Sequence, residues 1–290
     1  MAYLYESEIE EMAIEELQAL GYTYVSGNDL TPDTAPLERK SFADVILRDR
    51  CLSALRRINP HLSDGAIESA LKALYQVAGT YQVTDNEKFH RYLTDGIPVE
   101  YRKKDDVVGD FAYLIDPSDS PGKNEFLAVN QFTIIEKGIN KRPDIILFVN
   151  GLPLVTFELK NAADLNATVK KAYEQLKTYK AAIPQLFSYN EICVISDGLE
   201  AKVGSYTAPF SRFSTWKTKD GLSDASPFED ELSVTLNGLF NRNTLIDYIL
   251  NFVAFEKAKI ENDEKKIIRM RTPLSKITST GEIEQRFRLN

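Results

Sequence analysis

The chain has 290 residues, 43% of them hydrophobic and 27% charged, with a formal net charge of -8. That length supports a sizeable core in one large or two modest domains, and no apolar run approaches the roughly 20 residues a bilayer-spanning helix needs. The acidic balance disfavours a protein that coats nucleic acid over its whole surface, although a local basic track survives such a sum.

In chain order, Ile9, Ala13, Leu17 and Leu20 fall at helical spacing over residues 6–20, and Gly21 is a natural stop. The opening "MAYLYESEIEEM" is acidic and lacks the basic and apolar segments of a signal peptide. "YTYVSG" reads as a short strand and "NDLTPDTAPL" as a loop. "SFADVILRDRCLSALRRI" predicts a helix capped by Ser41, and "SDGAIESALKALYQVAG" a second between Ser63 and Gly79. Residues 86–95 read as a third helix. "IPVEYR", "VVGDFAYLID", "EFLAVNQFTII", "DIILFV" and "PLVTFELK" then predict an antiparallel meander. A helix over 163–182 and the strands "EICVISDG" and "AKVGSYTA" complete a mixed α/β order. After Trp216 a polar, turn-rich linker leads to one or two helices over 232–266, "TLIDYILNFVAFEKAKI" being the clearest. Cys51 and Cys193 are too few for a disulfide framework and are read as core residues of a reducing, intracellular protein. His61 and His90 have no partner pattern for metal or nucleophilic work and are read as structural. No G-x-x-x-x-G-K is present, so nothing resembles a P-loop.

Chemistry concentrates in "RPDIILFVNGLPLVTFELKNA", an apolar hairpin with Asp144 at its entrance and Glu158 and Lys160 at its exit. Residues two apart in a strand face the same way, so Glu158 and Lys160 share a face. Asn followed by a left-handed Gly predicts a three-residue loop, Val149-Asn150-Gly151, ending in a glycine bulge with Phe148 opposite Leu152, and in that register Asp144 joins Glu158 and Lys160. A plain two-residue loop would send Asp144 to the other face. Two carboxylates on one face repel unless a divalent cation lies between them, and oxygen-only ligation favours Mg²⁺ or Mn²⁺. Lys160 beside them would hold the attacking water or offset phosphate charge. A structural cluster at a sheet edge, Lys160 bridging the two acids, accounts for the same spacing. Lys170, Lys171, Lys177 and Lys180 form one basic track, which a solvated helix face explains as well, and Lys265, Lys266, Arg269 and Arg271 another, which a solvated helix face explains better.

"PDIILFVNGLPLVTFELK" resembles the PD-(D/E)xK nuclease motif in the wording of the R (restriction) subunit of type I restriction–modification enzymes. "QLKTY", Gln175 to Tyr179, is similar to the Q-x-x-x-Y element that follows it, and "ESEIEEMAIEELQALGY" to the family's first helix. "ISDGLEAKVGSYTAPFSRFSTWK" resembles the segment that closes the nuclease domain, so the likeness spans about residues 5–217. The resemblance implies an α/β PD-(D/E)xK core, a mixed central sheet flanked by helices, over 1–217. A mainly helical extension over 218–290 would lead toward helicase-like motor domains that lie outside this sequence. It implies Asp144 and Glu158 as ligands of Mg²⁺ or Mn²⁺ and Lys160 as the catalytic lysine. Glu10 would complete the acidic cluster, with Glu8, Glu11 and Glu15 as alternatives. Gln175 and Tyr179, one helical turn apart, with Lys170 and Lys171, would meet DNA or support the site. The implied partners are double-stranded DNA and the methylation and specificity subunits, in a prokaryotic cytoplasm. ATP would serve the motors of the full-length subunit alone. Two functions stand: a metal-dependent endonuclease domain, or a catalytically silent DNA-binding or docking module of the same fold.

Overall fold

A computed structural model describes residues 6–79, 82–103, 106–118, 122–161, 168–260, 263–270, 273–277 and 283–287, with backbone only from residue 257 onward. The elements are helix α1 (Glu6–Ala19), strand β1 (Thr23–Ser26), α2 (Arg48–Ile58), α3 (Asp64–Tyr75) and α4 (Gln82–Asp95). Strands β2 (Ile97–Lys103), β3 (Asp106–Ala112), β4 (Phe126–Asn130), β5 (Ile134–Glu136), β6 (Ile139–Lys141), β7 (Ile145–Val149) and β8 (Leu152–Leu159) follow. Then come α5 (Val169–Ala182), α6 (Pro184–Phe187), β9 (Ile192–Ser196), β10 (Ala201–Gly204), α7 (Glu231–Leu239) and α8 (Arg242–Phe252). Strands β11 (Val253–Ile260), β12 (Asp263–Met270), β13 (Pro273–Ile277) and β14 (Ile283–Phe287) close the order.

The central sheet runs β1-β4-β7-β8-β9-β10. It is mixed, with β1–β4 and β8–β9 parallel and the other neighbours antiparallel. Strands β7 and β8 lie at its centre and are buried along their whole length. This is why both read as unbroken apolar runs. The parallel β8–β9 pair needs a crossover, and α5 and α6 supply it.

The expected single meander is corrected. Strands β2 and β3 form a ribbon of their own, and "EFLAVNQFTII" breaks after Asn130. Gln131 takes a left-handed φ of 51°, turning the chain off the sheet into a second ribbon, β5–β6. Gly27 permits the close approach, since a Cβ there would lie 2.5 Å from the carbonyl oxygens of both Asn130 and Gln131.

The hairpin turn also differs from expectation. Asn150 (φ 54°) and Gly151 (φ 76°) form a two-residue loop with both residues left-handed, so Val149 pairs with Leu152. The register then shifts: Phe148 faces Pro153, but Leu147 faces Val155, leaving Leu154 as an extra residue. Pro153 has no N–H to give the ladder, so a bulge beside it costs little. The bulge restores the parity that the loop alone would have lost. One step beyond the Ile145–Phe157 pair, Asp144 comes opposite Glu158.

Several helices are shorter than expected; α3 ends at Tyr75 and α5 begins at Val169. The helix assigned to "SFADVILRDRCLSALRRI" begins only at Arg48. Asp44 accepts the backbone N–H groups of Lys40 and Ser41, and Ser41 Oγ that of Ala43, so local turns hold residues 40–44 and Ser41 caps no helix. Ser63 does cap α3, accepting from Ala66 N–H. The helix expected as far as 266 ends at Phe252, the last buried position of α8, and Val253 begins a strand paired with β12. Helices α7 and α8 pack into the central core: the Phe240 ring lies 5.1 Å from Phe157, and Tyr22 donates to the Phe240 carbonyl.

Candidate active site

Three sheet strands and two helices converge where β7 begins and β8 ends. Their meeting encloses a polar cavity of about 690 Å³, and Asp144, Glu158, Lys160, Glu6, Gln175 and Tyr179 all line it. Asp144 is 7% exposed and Glu158 1%. Burying two carboxylates without compensation is costly, so what surrounds them decides their chemistry.

Lys160 Nζ donates to Glu158 Oε1 at 2.6 Å and to the Leu159 carbonyl at 2.7 Å, and stands 3.3 Å from Glu6 Oε1. Asp144 Oδ2 accepts the Leu159 N–H at 2.7 Å. Glu158 Oε2 is buried with no hydrogen-bond partner among the described residues. Burial, then the neighbouring Glu158 charge, pushes Asp144 up to about 8, so in the free protein it is largely protonated at neutral pH. Burial also raises Glu158, against the opposing pull of Lys160. Burial works against the Lys160 charge, but Glu158, Asp144 and Glu6 together hold it above its ordinary value, so the side chain is an ammonium.

The remaining sequence candidates fall in different places. On α1, Glu8, Glu11 and Glu15 are exposed, and Glu10 is half-buried. Glu10 accepts from Asn130 Nδ2 at 2.7 Å and from Gln131 Nε2 at 2.5 Å. Gln131 in turn reaches Asp144 Oδ1 at 3.5 Å, so Glu10 meets the site through Gln131. The glutamate of α1 that lines the cavity is Glu6, four residues earlier and therefore on the same helix face. That spacing was the signal available for it.

On α5, Gln175 lines the cavity, while Tyr179 is both core and site. It is buried, and its hydroxyl donates to the Arg142 carbonyl at 3.2 Å. Burial and the Glu158 charge raise its pKa. The basic track divides. Lys170 and Lys171 are exposed, Lys177 pairs with Glu174 at 2.8 Å, and Lys180 donates inward to the Tyr206 carbonyl at 2.6 Å. Lys265, Lys266 and Arg269 lie on strand β12 rather than a helix, and their side chains, like Arg271, lie outside the described residues. Cavity residues that sequence reasoning passed over are Gln131, Thr133, Asn140, Lys141 and Arg142.

Elsewhere, His61 is half-exposed beside Asp110, whereas His90 is buried against Glu191 at 3.0 Å. Cys51 and Cys193 are buried free thiols, pushed by burial up to about 12 and about 11, which makes them unreactive. A second cavity, of about 560 Å³, contains Arg50, already tied to Glu38 and Glu125 at 2.6 Å each.

Among the described residues no three His, Cys, Asp or Glu side chains form a ready metal cage. The fit to a single hard cation is better. Mg²⁺ commonly takes one or two carboxylates and completes its shell with water and substrate oxygens. Asp144 and Glu158 supply that pair, and the unpartnered Glu158 Oε2 is a donor left open.

A family model described as type I restriction enzyme R protein N terminus matches residues 3–212. The Haemophilus influenzae type I restriction enzyme HindI endonuclease subunit is 39% identical over 267 residues, covering 91% of this chain and 25% of that protein. The putative type I restriction enzyme MjaIXP endonuclease subunit of Methanocaldococcus jannaschii is 35% identical over 274 residues, covering 87% of this chain and 26% of that protein. The chain thus spans about a quarter of the length of these relatives. Among the described residues no helix is long and apolar enough to cross a membrane.

Proposed function

The chain belongs to the family of type I restriction enzyme R protein N termini, and from that premise we propose that it is a metal-dependent DNA endonuclease domain with a PD-(D/E)xK core. The observation that carries this reading is the buried Asp144–Glu158 pair beside Lys160, with one Glu158 oxygen left without a partner. Asp144 and Glu158 would hold Mg²⁺ or Mn²⁺, which when bound supplies Lewis-acid stabilisation of a phosphoryl oxygen.

The chain's own residues do the rest. Asp144, which burial keeps protonated, would release that proton to solvent when a cation is held. Lys160, fixed as an ammonium by Glu158, places positive charge at the cavity, where it offsets developing charge on the phosphate or orients the attacking water. Gln175 adds a neutral amide to the wall, and Tyr179 anchors the neighbouring backbone through Arg142. Glu10 acts as a positioning residue through Gln131. Lys170 and Lys171, exposed on the α5 surface, meet DNA outside the cavity. Residues 1–217 form the endonuclease domain, and residues 218–290 lead toward motor domains whose ATP-driven translocation precedes cleavage in a cytoplasmic complex with methylation and specificity subunits.

Incubation of the chain with supercoiled plasmid and Mn²⁺ or Mg²⁺, beside Asp144→Ala and Lys160→Ala, tests the assignment. Weak nicking without sequence choice by the parent chain, lost in both variants, is expected. Equal nicking by all three proteins would refute the assigned site. Metal-independent DNA binding with no carboxylate-dependent cation site would favour the silent module instead.

A further inference from the structure

A site floored by carboxyl groups offers the polyanion it must cut no attraction, and its own lysine is engaged by Glu158 at 2.6 Å. Positive charge able to hold DNA must therefore come from elsewhere around the cavity. The detour between β4 and β7 provides it. Strands β5 and β6 form a ribbon turned by Lys137 (φ 50°) and Gly138 (φ 79°). The ribbon is pinned in three places. Ile135 N–H donates to the Phe42 carbonyl at 3.1 Å, Gln185 N–H to the Glu136 carboxylate at 3.0 Å, and Tyr179 to the Arg142 carbonyl at 3.2 Å. Strand β6 packs against α5.

Held in this way, the ribbon contributes Asn140, Lys141 and Arg142 to the lining of the same cavity as Asp144 and Glu158. Lys137 is exposed at its tip. Among the described residues none of Lys137, Lys141 and Arg142 has a carboxylate within ion-pair distance. The ribbon's one acid, Glu136, is already taken by the Gln185 N–H. By contrast, Lys177 and Lys180 on α5 are engaged within the protein. The cavity is thus acidic along one side and carries uncompensated basic groups on a rigid mount along the other.

We propose that the β5–β6 ribbon is the DNA-backbone track of this site, with Lys141 and Arg142 contacting phosphates next to the scissile bond and Lys137 a phosphate further along. Asn140 adds a neutral donor. This rests on the nuclease reading above. Phosphate contacts of this kind set position and carry no base information, which suits a cleavage site without sequence choice.

Fluorescence anisotropy of a labelled short DNA duplex with the 290-residue chain, in EDTA across a range of salt, tests it. Lys141→Ala/Arg142→Ala is compared with Lys72→Ala/Lys88→Ala, which removes two lysines from α3 and α4. Lys141→Gln/Arg142→Gln keeps the aliphatic stems should the alanine pair unfold. The ribbon variants are expected to bind several-fold more weakly at low salt. Their slope of log affinity against log salt should be smaller by about 2, at roughly 0.9 per lost phosphate contact. The control pair should match the parent chain. An unchanged slope in the ribbon variants, an equal loss in the control pair, or no duplex binding by the parent chain would overturn the proposal. Divalent cations are excluded from this assay, so a failure of the cation site registers separately, in Mn²⁺ titration and plasmid nicking.

Discussion

Two clusters of buried charge among the described residues differ in what surrounds them. At the end of β8, Asp144 and Glu158 share one ammonium, leave an oxygen open and face a polar cavity. Between α4 and the start of β9, His90 and Glu191 form a single buried pair, 3.0 Å apart, with the Phe255 ring 5.2 Å from the imidazole. Beside them Asn86 Nδ2 donates to the carbonyls of Phe187 and Asn190. Both clusters contain an orphaned carboxylate oxygen, Glu158 Oε2 and Glu191 Oε1, so burial and an unmet acceptor do not by themselves mark a reactive site. What separates them is charge balance and access. His90–Glu191 is one imidazole against one carboxylate, both buried. The other cluster has more acidic groups than basic ones and faces an open cavity.

The largest expected effect falls on the His90–Glu191 pair. His90→Ala leaves Glu191 buried without its partner and should destabilise the fold by about 3–5 kcal/mol, read by denaturant unfolding, while Mn²⁺ binding at the other cluster persists. Loss of Mn²⁺ binding in a still-folded His90→Ala would erase the distinction between the two. Lys160→Ala likewise leaves buried Glu158 without its ion pair, so a smaller loss of stability is expected beside a cleavage rate lowered by on the order of 10²–10³-fold. A rate within a few-fold of the parent would remove Lys160 from the chemistry.

A smaller effect follows from the pH dependence of Asp144. Its folded pKa, about 8, lies above the roughly 3.9 of an unfolded aspartate. The folded chain therefore keeps a proton that the unfolded chain releases. The stability this contributes is complete below about pH 4 and is lost as pH rises toward 8, by at most about 1.4 kcal/mol per unit. Asp144→Asn removes the titration, so its melting temperature should rise relative to the parent chain between pH 5 and pH 8. A difference that stays flat over that range would mean that Asp144 is ionised throughout. The smallest change is expected from Gln175→Ala, a several-fold loss of cleavage with stability unaltered; a loss as deep as that of Lys160→Ala would make Gln175 a catalytic group.

Much of the first cluster was legible because its determinants are local. The Asn150-Gly151 turn, two apolar strands and three charges at fixed spacing lie within one hairpin, and the bulge at Pro153 changed the route to their alignment without changing its outcome. Gln131 and Asn140 were not legible, since only the turn after β4 and the β5–β6 ribbon bring them to the cavity. The same holds for Glu191, 101 residues from His90. Local turn chemistry at Asp44 overrode helical spacing near Ser41. Pairing with β12 overrode the helix-favouring composition of 253–260.

The most direct test of the shared cation between Asp144 and Glu158 is calorimetric titration of Mn²⁺ into the intact chain near pH 7, in two buffers of different ionisation enthalpy. Because Asp144 holds a proton in the free protein, binding should saturate at one ion per chain with release of close to one proton, and Glu158→Ala should abolish it. No saturable binding, or binding that Glu158→Ala leaves unchanged, would contradict the assignment.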